Sequence, residues 1–199
     1  MTITVPKNLI KAAFMFASKD DARYVLNTVQ FLKSRTGVII TACDGRRIIT
    51  IKSSDTLMSG ADQVIIPRFR LPKRKPGVPS HLDSTEITSE TVRGRNVYSC
   101  EDVVMPVVEG VYPNWKQVFS GLKPKPIHEA AVNPEYLVAF GAAAKLIDGE
   151  PHIHLQTNDG GQILVKGTRE SSQCSWRGLF MPPGGMSECQ DVPEWILEA

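Results

Sequence analysis

Apolar and polar residues alternate almost without interruption from Arg23 to Lys52, RYVLNTVQFLKSRTGVIITACDGRRIITIK. A period of two over short runs rich in Val, Ile and Thr predicts strands with one buried face. Ser34-Arg35-Thr36-Gly37 and Asp44-Gly45 break the run with turn chemistry, so the stretch predicts three strands joined by tight hairpins. Similar β signals recur in TEITSE, VRGRNVYS and VVMPVVEG, and again in HIHLQTN, QILVKG and SWRGLFMP. Gly94-Arg95-Asn96 and Asn158-Asp159-Gly160-Gly161 supply the turns between them.

Ahead of each set of strands stands a short apolar run that meets a proline, at Thr4–Leu9, Ile65–Leu71 and Ala131–Leu137. Proline suits the first helical position, where its missing N–H removes no bond. Each site therefore predicts a strand followed by a helix start. Leu9, Ile10, Ala13, Phe14 and Ala17 fall at helical spacing after the first, and Leu137, Phe140, Ala144 and Ile147 after the third. The second helix is the weakest, because Pro72 and Pro76 limit it to about two turns. The starts recur at about sixty residues, an internal repeat of β-α-β-β-β units. The expected fold class is α+β, with repeated β-α-β-β-β units, antiparallel sheets and helices on one face.

Composition narrows the function classes. The 199 residues, 42% hydrophobic, carry 23 basic and 21 acidic side chains for a net charge of +2. That balance is far from a strongly basic nucleic-acid binder, although local basic patches remain open to it. No apolar run reaches the ~18 residues of a membrane span and the N-terminus lacks a signal-peptide layout, so a cytoplasmic protein is expected, with no membrane partner. Cys43, Cys100, Cys174 and Cys189 form no C-x-x-C pair, which argues against a zinc site. His152 and His154 share one face of an expected strand, with His128 and Asp148 as conceivable third ligands, but inert surface histidines are the simpler reading. Phosphate-loop and nucleophile-elbow motifs do not occur, and nothing pairs Asp44 or Glu109 for acid–base work, so no enzyme and no cofactor are expected.

The order of motifs resembles a known family. R-Y-V-L-N at Arg23–Asn27 followed by A-C-D-G-R-R-I at Ala42–Ile48 resembles the middle domain of the bacterial DNA sliding clamp, the beta subunit of DNA polymerase III. V-I-I-P-R at Val64–Arg68, V-V-E-G-V-Y-P-N-W-K-Q-V-F at Val107–Phe119 and Leu179-Phe180-Met181-Pro182 follow in family order. The resemblance spans roughly residues 2–183. It implies a clamp-like domain of two units over residues 1–120, a half domain over 121–183, and a tail over 184–199. The first clamp domain and half of the last have no counterpart, and Arg46 stands where the family motif has histidine. The shortened length fits a phage or prophage version.

The resemblance implies a non-catalytic processivity factor for DNA replication that holds DNA polymerase or other clients on duplex DNA. DNA contact would be non-specific, through Lys7, Lys11, Arg68, Arg70, Lys73, Arg74 and Lys75, to phosphates. A solvated loop face is the competing reading of the 68–75 cluster. Client peptides would enter a pocket made by Leu26, Gly45, Arg46, Arg47, Ile48, Pro113, Gln117, Val118, Phe180, Met181 and Pro182, with ordinary core packing as the alternative for the apolar members. A ring would need a homo-oligomer. The other reading is a non-encircling interaction module or decoy that binds clamp clients or the host clamp. The acidic tail, with Trp195-Ile196-Leu197, is a terminal helix, a frayed end or a mimic of a client.

Overall fold

The computed structural model describes residues 1–73, 75–79, 82–125, 130–158, 161–168 and 174–181. The first unit runs β1 (Thr2–Pro6), α1 (Lys7–Phe14), β2 (Thr28–Ser34), β3 (Gly37–Cys43) and β4 (Arg47–Ser53), with a short β5 (Leu57–Ser59) after it. The second runs β6 (Gln63–Pro67), β7 (Ser84–Val92), β8 (Arg95–Cys100) and β9 (Val103–Pro106). A one-and-a-half-turn helix, α2 (Trp115–Phe119), follows. The third unit is α3 (Pro134–Asp148), β10 (Ile153–Thr157), β11 (Ile163–Gly167) and β12 (Cys174–Phe180).

The strands form two antiparallel sheets, in the orders β5-β1-β7-β8-β9 and β10-β11-β12-β4-β3-β2-β6. The first two units exchange their leading strands: β1 joins β7–β9, and β6 joins β2–β4. The third unit enters the larger sheet through the β4–β12 seam, where Ile49 faces Gly178 and Ile48 faces Leu179. Period-two burial follows from these pairings, with Ile49, Ile51, Trp176 and Phe180 buried beneath the helices.

Helices α1 and α3 have the apolar faces expected of them. Leu9, Ile10, Ala13 and Phe14 are buried on α1, and Ala17 is buried just past its end. On α3, Phe140 and Ala144 are buried as expected, Leu137 and Ile147 are half-buried against the core, and Ala139 and Ala143 complete the buried face. α3 starts on Pro134, its Asn133 side chain accepts a hydrogen bond from the Glu135 N–H at 2.9 Å, and Gly149 closes it at φ +85°. The two helices pack on each other, with the Phe16 and Phe140 rings 4.6 Å apart. Gly178 lets Phe140 lie against β12: a Cβ there would sit 2.1 Å from the Phe140 ring.

Three local expectations are corrected. The weak second helix does not form in the described residues after Pro67; Pro72, Pro76 and Pro79 remove donors and push their predecessors out of helical geometry. Instead Phe69 packs edge-on against Phe14 at 5.4 Å, so an irregular segment covers α1. The short run before α3, residues 130–133, is irregular rather than a strand. The β7–β8 turn falls on Arg93-Gly94, both at positive φ, one residue earlier than expected. The Asp159-Gly160 turn and the tail from 184 lie outside the described residues.

Candidate peptide-binding site

The D-G-R-R turn is built by one carboxylate. Asp44 Oδ1 accepts the N–H groups of Arg46 and Arg47 at 2.9 and 2.8 Å, a self-capped turn. Its Oδ2 accepts both Nε and Nη2 of Arg47, at 2.9 and 2.8 Å, so one oxygen takes two charge-assisted bonds. The Arg47 guanidinium also lies over the Phe16 and Tyr136 rings, at 5.4 and 5.0 Å. Arg47 is thus held from several sides, while Arg46 projects into solvent. Gly45 takes φ +88°, and a Cβ there would meet Arg23 Nη1 at 3.0 Å and Leu26 Cδ1 at 3.8 Å.

Beside this turn lies a cavity of about 150 Å³ lined by Cys43, Gly45, Arg46, Arg47, Ile48, Tyr112, Pro113, Trp115, Val118, Leu179 and Met181. The β4–β12 seam places Leu179 beside Ile48, and the Met181 N–H donates to the Arg46 carbonyl at 3.3 Å. The segment before α2 closes the third side. Trp115 Nε1 donates to Gln30 Oε1 at 2.6 Å, and the Tyr112 hydroxyl reaches the Thr41 carbonyl at 3.4 Å. Those two bonds turn the apolar bodies of Tyr112 and Trp115 to the cavity while their polar ends are satisfied. Val118 and Met181 are each 47% exposed, so the cavity opens outward between them. Burial first, then the neighbouring Cys43 charge, pushes the Tyr112 hydroxyl up; burial also pushes up the Cys43 thiol. Both stay neutral near neutral pH. The exposed Arg46 lines the cavity, and Lys116 on α2 lies 5.8 Å from the centre of the Trp115 ring.

Of the pocket residues expected from sequence, Gly45, Arg46, Arg47, Ile48, Pro113, Val118 and Met181 come together here. Leu26 sits behind Gly45 rather than in the lining. Gln117 is exposed on α2 and outside the lining. Phe180 is fully buried on the opposite face of β12, where its ring meets Tyr136 at 5.5 Å. Pro182 lies outside the described residues. Cys43, Tyr112, Trp115 and Leu179 complete the lining and were not singled out; Leu179 is placed there by its pairing with Ile48 across the β4–β12 seam, and Trp115 stands three residues before Val118 on one helix face.

The expected basic residues are less convergent. Lys7 is 7% exposed; its Nζ lies 3.3 Å from Asp83 Oδ1 and donates to the Lys73 carbonyl at 3.0 Å, so its charge is balanced inside the fold. Lys11, Arg70, Lys73 and Lys75 are exposed and Arg68 is half-buried; Arg74 lies outside the described residues. Where a second helix was expected, a groove of about 470 Å³ runs beside α1, between Phe14, Phe69, Leu71 and Leu146, with Lys11 on its border. His152 hydrogen-bonds Glu150 at 3.2 Å, His128 is outside the described residues, and no metal-binding cluster occurs among the described ones. Among those residues no helix is long and apolar enough to cross a membrane.

No family profile and no curated protein sequence matches the chain. Solved structures do. The DNA polymerase sliding clamp of Bacillus subtilis is similar over 94% of this chain and 65% of its own, at 14% identity and a TM-score of 0.62. The DNA polymerase III beta subunit of Borrelia burgdorferi covers 94% of this chain and 63% of its own, at 13% identity and a TM-score of 0.61. The Helicobacter pylori beta clamp bound to a DNA ligase peptide covers 91% and 65%, at 11% identity and a TM-score of 0.56. The chain therefore spans less than two thirds of the length of these clamps. Over the part of those clamps that it spans, the chain has the fold of a bacterial DNA sliding clamp.

Proposed function

We propose that this chain is a non-catalytic, clamp-like protein of DNA replication that captures short Leu- or Phe-bearing segments of DNA polymerase or other clients. The observation that carries this reading is the cavity where three sequence-distant segments converge, apolar inside and positive at its rim. An apolar cavity with few placed polar groups suits a peptide anchor, and burying one large apolar side chain there contributes about 1.5–3 kcal/mol. The H. pylori clamp's DNA ligase peptide is the natural probe. Fluorescence anisotropy with that peptide tests the reading: binding that weakens at least ~10-fold in Val118→Asp supports it, and unchanged binding in that variant removes it.

Processivity is the wider form of the proposal: copies of the chain close around duplex DNA, and Lys11, Arg68, Arg70, Lys73 and Lys75 attract its phosphates. A second reading, a non-encircling module or decoy that binds clients or a host clamp, is favoured by the irregular segment after Pro67 and by Lys7 held on Asp83, which together reduce the basic helical surface. Light scattering separates the two. A closed oligomer retained on circular but not linear DNA supports the ring, and a monomer at all concentrations supports the module.

A further inference from the structure

Resting on the reading of the cavity as a peptide site, we propose that the chain carries its own competitor: Trp195-Ile196-Leu197 of the tail docks in that cavity and must leave before a client enters. Three observations converge on this. First, Met181 is a wall of the cavity and is tied to the Arg46 carbonyl, so the chain beyond it sets out from the pocket rim. Second, Trp195 follows fourteen residues later, beyond Pro182-Pro183-Gly184-Gly185. At up to ~3.3 Å per residue that length covers any path back to the pocket. Third, the chemistry is complementary. The triplet is an uninterrupted apolar run, and the cavity offers Ile48, Tyr112, Trp115, Val118 and Leu179. Around the triplet stand Glu188, Asp191, Glu194 and Glu198, with no Lys or Arg after Arg177. The lining presents the exposed Arg46, Lys116 lies over the lining Trp115 ring, and Arg47 is already paired with Asp44. Opposite charge brings the segment to the rim and the apolar triplet gives it a place to bury.

A tethered segment acts at an effective concentration near 1 mM for a short flexible linker. If the free segment binds with a Kd of about 100 µM, the tail occupies roughly ten pockets in every eleven, and a client meets an apparent affinity about tenfold weaker.

The test uses the full chain and its W195A/I196A/L197A variant, each titrated with two labelled probes. One is a synthetic peptide of residues 187–199; the other is the DNA ligase peptide seated on the H. pylori clamp. The expected result is that the tail probe binds the variant about tenfold more tightly than the unmodified chain, and that adding Arg46→Glu to the variant weakens it. Equal binding of the tail probe to both chains overturns the proposal, as does ligase-peptide binding to a variant that ignores the tail probe; in either case the pocket reading survives. A variant that binds neither probe overturns both.

Discussion

The cavity beside Asp44 and the basic surface after Pro67 were expected from one resemblance, and the fold treats them differently. The cavity is assembled from parts fixed by neighbours: Asp44 closes the turn and holds Arg47, Gln30 holds Trp115, and the β4–β12 seam holds Leu179. The basic segment after Pro67 has exposed side chains on irregular backbone, and Lys7 on α1, the most buried of the expected basic residues, is neutralised by Asp83. Fixed groups can select a ligand geometry, whereas exposed lysines without fixed partners supply charge without shape. On the proposed function, specificity belongs to the cavity, and the basic segment adds only salt-sensitive attraction.

Breaking the seam gives the largest expected effect. In Gly178→Val the new side chain collides with the Phe140 ring, 2.1 Å from where its Cβ must stand. The expected cost is about 3 kcal/mol, a drop in Tm of roughly 6–12 °C by circular dichroism, with loss of peptide binding. A drop below about 2 °C would show that the seam does not support the cavity.

Lys7 and its exposed neighbours sharpen the other side. Lys7→Ala leaves Asp83, 3% exposed, without its cation, and is expected to cost about 3 kcal/mol in urea denaturation. R70E/K73E/K75E is expected to stay within about 0.5 kcal/mol of the parent. If DNA is bound through this surface, the triple variant lowers the slope of log K against log salt by roughly 3, and Lys7→Ala leaves it unchanged. A slope change confined to Lys7→Ala would reverse the assignment.

Asp44→Ala removes the ion pair with Arg47 and the oxygen that accepts two backbone N–H groups, at a partly exposed turn. It is expected to cost about 1–2 kcal/mol and to weaken ligase-peptide binding roughly tenfold, measured by calorimetry. Full affinity in this variant would make the turn's order irrelevant to the cavity.

The smallest effect is alkaline. Burial, then the charges of Asp148 and Asp55, pushes the Cys174 thiol to about 12 from 9.0. The folded chain keeps this proton while the unfolded chain loses it, so its contribution is intact below about pH 9 and falls by ~1.4 kcal/mol per pH unit between 9 and 12. Thermal melts at pH 8 and 10 should therefore differ less in Cys174→Ala than in the parent. Equal differences would show that the thiol ionises freely in the fold.

What was legible in the sequence was mostly local. The hairpins around β2–β4 follow from alternation and turn residues, and α3 follows from Asn133, Pro134 and Gly149. Ile48, Pro113 and Val118 were recognisable because each sits inside a contiguous motif. Phe180 and Leu179 were not distinguishable, because adjacent strand residues point to opposite faces and the register across the seam settles which one meets Ile48. Lys7 looked like a free helix-start cation; its partner Asp83 lies far along the chain and is brought to it by folding. The second helix was undecided by its apolar pattern and settled by its prolines.

Peptide binding in the cavity between the Asp44 turn, residues 112–118 and the end of β12 would leave its mark on the backbone amides around it. Amide chemical-shift mapping tests it most directly, with the ligase peptide added in excess to the W195A/I196A/L197A chain. Shifts are expected to concentrate on 43–48, 112–118 and 179–181, with the amides of the exposed Lys73 and Lys75 unmoved. Saturable shifts centred on the groove beside α1, or none anywhere, would contradict it.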